Sequence, residues 1–575
     1  MVHRRKPFSN KQKKAQLQAK RAHRREQAAQ GGSDGGSDAA VGPGDVRQTN
    51  DVGRNKLTSQ FDKLTRPEIE ANKRRSMQPL QRLPPAEALT MSFDDAYSAD
   101  VDIPVRPPWR RGESKAAVEQ REEAYFAGWL ERIRELRDQD SVSLYEKNLE
   151  VWRQLWRVVE ISDVLLLVVD IRHPVLHFPP SLYRYAAETA GKPVVVVLNK
   201  TDLVAPATVR AWVRYFKATF PAVALVTFCC YRPDAPVDED TSLAAMRLRK
   251  KRPRRRVYDS SQVADLFAAC RQVCPPAKRA LVDWDELAAR YSAAAAADDD
   301  DDDDDDNSTS GSDDDSGSDG DAGSPATKQK DKQQAQDNDD DQDDDSAQRY
   351  LTLGLVGHPN VGKSTVINSI LQRTAVSTSR TPGHTKHFQT IHVSAGLRLC
   401  DCPGLVFPCV VDRPTQVLAG LYNIAQVQEP YTAVMYLAER VAVERVLALK
   451  RPPEDDRPGP WSAWAICEAF AIDRGFFTTK AARPDVYRAA LYILRWVLDG
   501  RILLSFKPPG FFDHRNSSSP AEPPESPPSD RAALVQHNSD NNSGSEGSES
   551  GGGGGNSSPS AARQSQFALL GEEDC

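Results

Sequence analysis

Residues 351–365 read LTLGLVGHPNVGKST, an apolar run that ends in Gly357-His-Pro-Asn-Val-Gly362-Lys363-Ser364. The spacing is that of a phosphate-binding loop, G-x-x-x-x-G-K-[ST], set between a strand and a helix. The chemistry asks for these residue types. A triphosphate needs a ring of backbone N–H donors, and glycine lets the main chain approach it closely. The Lys363 ammonium can reach the β- and γ-phosphates, while the Ser364 hydroxyl ligates Mg²⁺. Thr352–Val356 is expected to form the strand and Ser364–Arg373 the helix, its N-terminus facing the phosphates. Nucleotide contacts are therefore assigned to Gly357, His358, Pro359, Asn360, Val361, Gly362, Lys363, Ser364 and Thr365.

Upstream, Val164–Val169 is almost wholly apolar and ends in Asp170; Val194–Leu198 repeats the pattern and ends in Asn199-Lys200-Thr201-Asp202. Continuous apolar runs of this length read as strands buried on both faces. The helical stretch SLYRYAAETAG between them makes a βαβ unit, and Val223–Phe228 reads as a third strand. The tetrapeptide fits N-K-x-D, in which a carboxylate accepts from both N1–H and the 2-amino group of guanine. Alone it is a weak signal, because helix N-caps also carry Asn or Asp. Behind a strand, in a chain with a phosphate loop, it is a strong one.

Downstream, Gln389–Ser394 and Leu397–Cys400 read as strands, the second feeding Asp401-Cys402-Pro403-Gly404-Leu405. D-x-x-G in this place holds Mg²⁺ through Asp401 and meets the γ-phosphate with the Gly404 N–H. Ser377–Thr385 is a hydroxyl-rich loop broken by glycine and proline, and Thr385 is taken as its Mg²⁺-sensing threonine. Before the first strand, Tyr125, Phe126, Trp129, Ile133 and Leu136 mark one helix face, and Leu144–Glu160 a second helix. After Pro414 the pattern is helical, in VLAGLYNIAQV, EPYTAVMYLAERV, WAICEAFAIDRG and DVYRAALYILRWVLDG, and closes on ILLSF.

The order is the informative feature, since N-K-x-D precedes the phosphate loop. At these residues the chain resembles the circularly permuted GTPases of the YlqF/YawG type. The likeness is carried by NLEVWRQLWRVVEISDVLLLVVDIRHP, LNKTDLV, GHPNVGKST, SRTPGHTKHFQT, LCDCPGL and EPYTAV. It implies an α/β P-loop GTPase fold, circularly permuted, with a C-terminal helical domain, binding GTP or GDP with Mg²⁺ on Ser364, Thr385 and Asp401. Lys363, Asn360, Thr385 and Gly404 are then the catalytic set. Leu405 stands where small GTPases keep a water-orienting glutamine, and Asn360 matches the asparagine that coordinates K⁺ in potassium-stimulated relatives. One motif departs: a Ser-Ala pair normally backs the guanine, and Thr227-Phe-Cys229-Cys230 stands there instead. Ribosome assembly, with a ribosomal particle, RNA or basic ribosomal proteins as partner, comes from the resemblance alone.

The chain of 575 residues is long enough for several domains, but its 39% hydrophobic content is low and the shortfall is localised. A net charge of −6 hides segregation: residues 1–25 hold ten Lys/Arg and no acid, 247–256 eight basic residues, and 298–306 nine consecutive aspartates. The basic head reads as a solvated arm, a nuclear-import or RNA-binding patch, or, third, a mitochondrial presequence. Nine cysteines without framework spacing, and no signal peptide or long apolar run, fit a reducing interior and no membrane. Cys400 and Cys402 read as buried thiols rather than zinc ligands.

The expected division is a disordered arm and linker (1–103), a helical lead-in (104–160) and a GTPase domain (161–413). The GTPase domain carries a basic insert (247–256) and an acidic disordered insert (293–346). A helical domain (414–513) and a disordered tail (514–575) follow. The expected protein is a monomeric, slow GTPase switch in the nucleus or nucleolus, with cytoplasmic shuttling. The rival readings are a GTP-gated scaffold without catalysis and an RNA-associated adaptor.

Overall fold

The valine and leucine runs become the middle of a six-stranded sheet in the order β3-β2-β1-β4-β6-β5. The strands are β1 Val164–Asp170, β2 Val194–Asn199, β3 Ala224–Phe228, β4 Leu351–Val356, β5 Gln389–His392 and β6 Leu397–Asp401. All neighbours are parallel except β5, which runs antiparallel to β6 at one edge. In β1, Leu165, Leu167 and Val169 face one core while Val164, Leu166 and Val168 face the other. A strand covered on both sides has no polar face, which is why its sequence lacks alternation.

This computed structural model describes residues 59, 61, 63–110, 112–137, 142–231, 258–259, 262–297, 349–379, 382–383, 385–451, 460–479 and 482–513. The basic head, the 31–51 linker, the 247–256 insert, the tract from 298 to 346 and the 514–575 tail lie outside them. So do Arg380, Thr381 and His384.

The main helices are α1 Arg66–Ser76, α2 Lys115–Arg137, α3 Leu149–Ile161, α4 Pro206–Thr219, α5 Val263–Val273, α6 Trp284–Ala297 and α7 Lys363–Leu371. They continue with α8 Arg413–Leu418, α9 Tyr431–Arg440, α10 Ala463–Asp473 and α11 Val486–Leu498. The chain enters the sheet at its centre with β1 and winds outward through β2 to β3. It then returns to the centre with β4 and winds the other way. The phosphate-loop strand β4 is thus hydrogen-bonded to β1, the strand that opens the N-K-x-D half. That is the topology of a permuted chain.

Several expectations are corrected. The span up to residue 103, expected as linker, is ordered from 63 onward: Ala88, Met91, Ala96, Val101 and Ile103 are buried. Leu80 N–H donates to Trp461 O, and Lys507 N–H to Leu89 O. Isolated apolar residues that fill gaps in a neighbour's surface leave no period to read. The second helix starts at Leu149, capped by Asn148, because 142–148 lies outside any helix and bonds to the chain after D-x-x-G. VLAGLYNIAQV is broken at Gly420, whose φ is +81°. The stretch after Pro180 is one α-turn followed by a π-helical turn, Tyr185–Thr189. Helix α6 extends to Ala297, into the start of the expected acidic insert.

Candidate guanine-nucleotide site

Open α/β sheets bind ligands beyond the carboxyl ends of strands, at the point where the winding reverses. Here that point lies between β1 and β4, and a cleft of about 610 Å³ opens there. This falls within the range of small-ligand pockets. Its lining brings together Asn199, Lys200, Asp202, Pro359, Asn360, Gly362, Lys363, Ser364, Thr365, Thr385 and Gly404. The side chains of His358, Val361, Cys402 and Leu405 are buried instead, so only their backbone can serve a ligand. Thr201 turns back to the sheet, its hydroxyl donating to Phe228 O at 3.3 Å.

The two halves are joined by direct bonds. Asn199 Nδ2 donates to Val361 O at 2.8 Å, and Lys200 Nζ to Asn360 O at 2.6 Å. Lys200 adopts φ +65°, a turn that carries its ammonium back to Asp170 Oδ2 at 2.7 Å. Glycine is demanded here by protein neighbours. A Cβ on Gly362 (φ +106°) would strike the Asn199 amide, and one on Gly357 (φ +138°) would lie 2.7 Å from Val168 O. A Cβ on Gly404 would lie 2.7 Å from Pro359 Cα. The close approach that the motif requires is therefore, at these positions, the approach of one chain segment to another.

At the phosphate end, Lys363 Nζ donates to Gly357 O and His358 O at 2.9 and 2.7 Å. Burial brings its pKa down to about 8, against the pull of Asp401. Ser364 Oγ donates to Asp401 Oδ2 at 2.8 Å and lies 3.5 Å from Thr385 Oγ1. Burial raises the Asp401 pKa, although Lys363 and Ser364 favour the charged form. Its Oδ1 is buried without a hydrogen-bond partner among the described residues. Two hydroxyls and a carboxylate with an orphaned oxygen are a hard, oxygen-only donor set that suits Mg²⁺. Asn360 turns its amide out of the loop, Nδ2 donating to Gly420 O at 2.8 Å.

At the base end, Cys230 Sγ donates to Asn199 Oδ1 at 3.4 Å. Burial, reinforced by Asp202, pushes the Cys229 thiol up to about 12, so it stays protonated. These thiols occupy the place where a Ser-Ala pair was expected. Sequence reading missed six other residues of the wall. Tyr231 and Tyr258 stack at 5.4 Å and pair as an isolated bridge. Arg172, and Leu498, Asp499 and Arg501 at the end of α11, also line the cleft. None carries a motif signal, since each is brought in by tertiary structure.

The family model described as 50S ribosome-binding GTPase matches residues 352–447. Guanine nucleotide-binding protein-like 1 of Homo sapiens and of Pan troglodytes are each 40% identical over 472 residues, covering 80% of this chain and 74% of theirs. The Large subunit GTPase 1 homolog of Drosophila melanogaster is 29% identical over 426 residues, covering 72% of this chain and 66% of its own. Among solved structures, GNP-bound YlqF from T. maritima aligns at 15% identity and a TM-score of 0.32, over 62% of this chain and 97% of its own. GTP hydrolysis is the reaction of this group, and the chain is a circularly permuted GTPase that belongs to the guanine nucleotide-binding protein-like 1 family.

Proposed function

We propose that this chain is a slow, Mg²⁺-dependent GTPase that acts as a nucleotide switch on a ribosomal or other ribonucleoprotein particle. The observation that carries the reading is the convergence of Ser364, Thr385 and Asp401 beside Lys363, in the cleft that Asn199 and Lys200 tie to the phosphate loop. Asp202 reads guanine and Lys200 supports the base. Lys363 exchanges its two loop carbonyls for phosphate oxygens. Mg²⁺, held by Ser364, Thr385 and Asp401 when bound, offsets phosphate charge. Backbone N–H groups of His358 and of 360–363, with that of Gly404, surround the phosphates, while Pro359 has none to offer.

Slow turnover is supported by what the wall lacks. Among the described residues lining the cleft, none is a glutamine, glutamate or histidine, and Leu405 is 1% exposed in the core. Nothing described is placed to orient water, so a partner or a monovalent cation at Asn360 supplies the missing assistance. The particle is favoured by the names of the matching family and of the fly relative, and by the basic segments 1–25 and 247–256. Nuclear or nucleolar residence with cytoplasmic shuttling, and a monomeric state, complete the reading.

Single-turnover GTP hydrolysis tests it, run with Mg²⁺ in Na⁺ or K⁺, with and without ribosomal particles. Slow hydrolysis accelerated by particles is expected. Tight GTP binding with no hydrolysis under any condition would leave a GTP-gated scaffold. Equal rates in the two salts would remove the cation from Asn360.

A further inference from the structure

Arg172 is buried at 1% exposure, two residues after the end of β1, and no nucleotide motif includes it. Each of its guanidinium nitrogens donates. Nε and one terminal nitrogen donate to both Asp170 oxygens, at 3.1 and 2.8 Å. The other terminal nitrogen donates to Val497 O at 2.8 Å and Leu498 O at 3.5 Å, the last carbonyls of α11. Those carbonyls form the negative end of a helix of 13 residues, where a cation is favoured. Asp170 passes the link on, because its Oδ2 also accepts from Lys200 Nζ. Lys200 reaches Asn360 O, and the Asn360 amide reaches Gly420 O. A Cβ on Gly420 would sit 3.2 Å from Leu498, so the path returns to the helix where it began.

Resting on the assignment of Asn199–Asp202 to guanine, we infer that Arg172 is a positioning residue for base recognition, through which the end of α11 sets nucleotide affinity. The physical case is one of shared acceptors. Lys200 draws on Asp170 to hold its strained turn; the Arg172 backbone N–H anchors Asp170 Oδ1 at 3.0 Å, and the guanidinium, on both oxygens, fixes the rotation that presents Oδ2 to Lys200. Arg172 in turn is aimed by carbonyls of the helical region. Lysine at 172 could pair with Asp170, but one ammonium cannot span the carboxylate and two carbonyls as a planar fork does. By linkage, a nucleotide that orders the base loop must stabilise the end of α11 equally.

The experiment uses the full chain with GDP, ADP and inorganic tripolyphosphate, the last engaging only the phosphate loop. Arg172→Gln should weaken GDP binding by about tenfold or more while tripolyphosphate affinity stays within about twofold, and Arg172→Lys should fall between. Equal GDP affinity in folded Arg172→Gln, or equal losses for both ligands, overturns the inference. Hydrogen exchange on the unmodified chain removes dependence on a variant that misfolds. Amides 497–501 should exchange more slowly with GDP than with tripolyphosphate, and identical exchange overturns it. An unmodified chain that binds GDP no better than ADP overturns the site assignment itself, and this inference with it.

Discussion

Lys363 sits at 6% exposure with its ammonium on two carbonyls, and burial holds its pKa at about 8. Above that pH the free protein carries it largely neutral, whereas a bound triphosphate favours the charged form. Nucleotide binding at pH 9 should therefore take up a proton, and affinity should decline as pH rises through 8. Calorimetry at pH 9 in two buffers of different ionisation enthalpy measures this; buffer-independent heats would refute it. The two loop glycines should separate fold from site. Gly357→Ala drives a Cβ into the Val168 carbonyl of β1, a backbone neighbour that cannot yield, and should cost about 1–3 kcal/mol of stability. Gly362→Ala meets the Asn199 side chain, which can swing away and give up its bond to Val361. At φ +106° it is strained as well, so stability should also fall, but here nucleotide affinity should drop about tenfold in addition. Urea melts and GDP titrations of both variants decide, and matching profiles would defeat the distinction. The motifs were legible at this scale because their spacing is local. The reason for each glycine was not, since the atom it avoids belongs to a strand or loop more than a hundred residues away.

Three histidines form an element of their own beneath the loop. His173, His177 and His358 are buried, with ring centroids 5.9 Å apart for the first pair and 5.6 Å for the second. Their ring nitrogens have no hydrogen-bond partner among the described residues. Burial lowers His177 to about 4 and the other two well below their ordinary value. The unfolded chain binds protons near pH 6.5 while the folded chain does not, so stability should be flat above 6.5 and fall from there toward 4. Between pH 7 and 5 the loss should be about 2 kcal/mol for each histidine, read from urea unfolding. A flat profile over that window would refute the neutral cluster. Nothing in the sequence announced it, because His358 was assigned to the phosphate loop as a nucleotide contact and His173 and His177 carried no assignment of their own. The strands were legible for the opposite reason: runs such as Leu165–Val169 have no use outside a doubly covered sheet. Segment 142–148 misled through its apolar residues, which mimic a helix start but pair with the chain beyond Leu405, as Glu146 N–H does with Val406 O at 3.0 Å.

At the scale of the whole molecule, permutation makes the switch strand β6 run on toward the helical region, which suggests transmission along the chain itself. The structure places a fastening on that path. Val410 N–H donates to Ala96 O at 2.9 Å and Ser143 N–H to Cys409 O at 2.9 Å. The Ser143 hydroxyl also reaches Val411 O. The 63–103 segment continues the fastening on both sides. Arg82 bonds Val441 O and Glu444 in the helical region, while the Tyr97 hydroxyl bonds Leu176 O in the sheet half. Phe93 packs among Phe178, Phe216 and Phe220. A chain trimmed to begin at residue 63 should thus keep its cooperative unfolding, whereas one beginning at 104 loses five buried apolar side chains and leaves Val410 N–H and Lys507 N–H without their acceptors. At about 1.5–3 kcal/mol for each large apolar side chain, and less for alanine, the deficit is on the order of 5–10 kcal/mol. That rivals the whole stability of an ordinary domain. The shorter chain is therefore expected to be unfolded or aggregated at 25 °C, and GDP should not rescue it. Circular dichroism and urea melts of the two truncations, with and without GDP, make the comparison. A chain beginning at 104 that melts within about 1 kcal/mol of the longer one would show that the segment is a passenger, and would restore the direct tether from switch to helices.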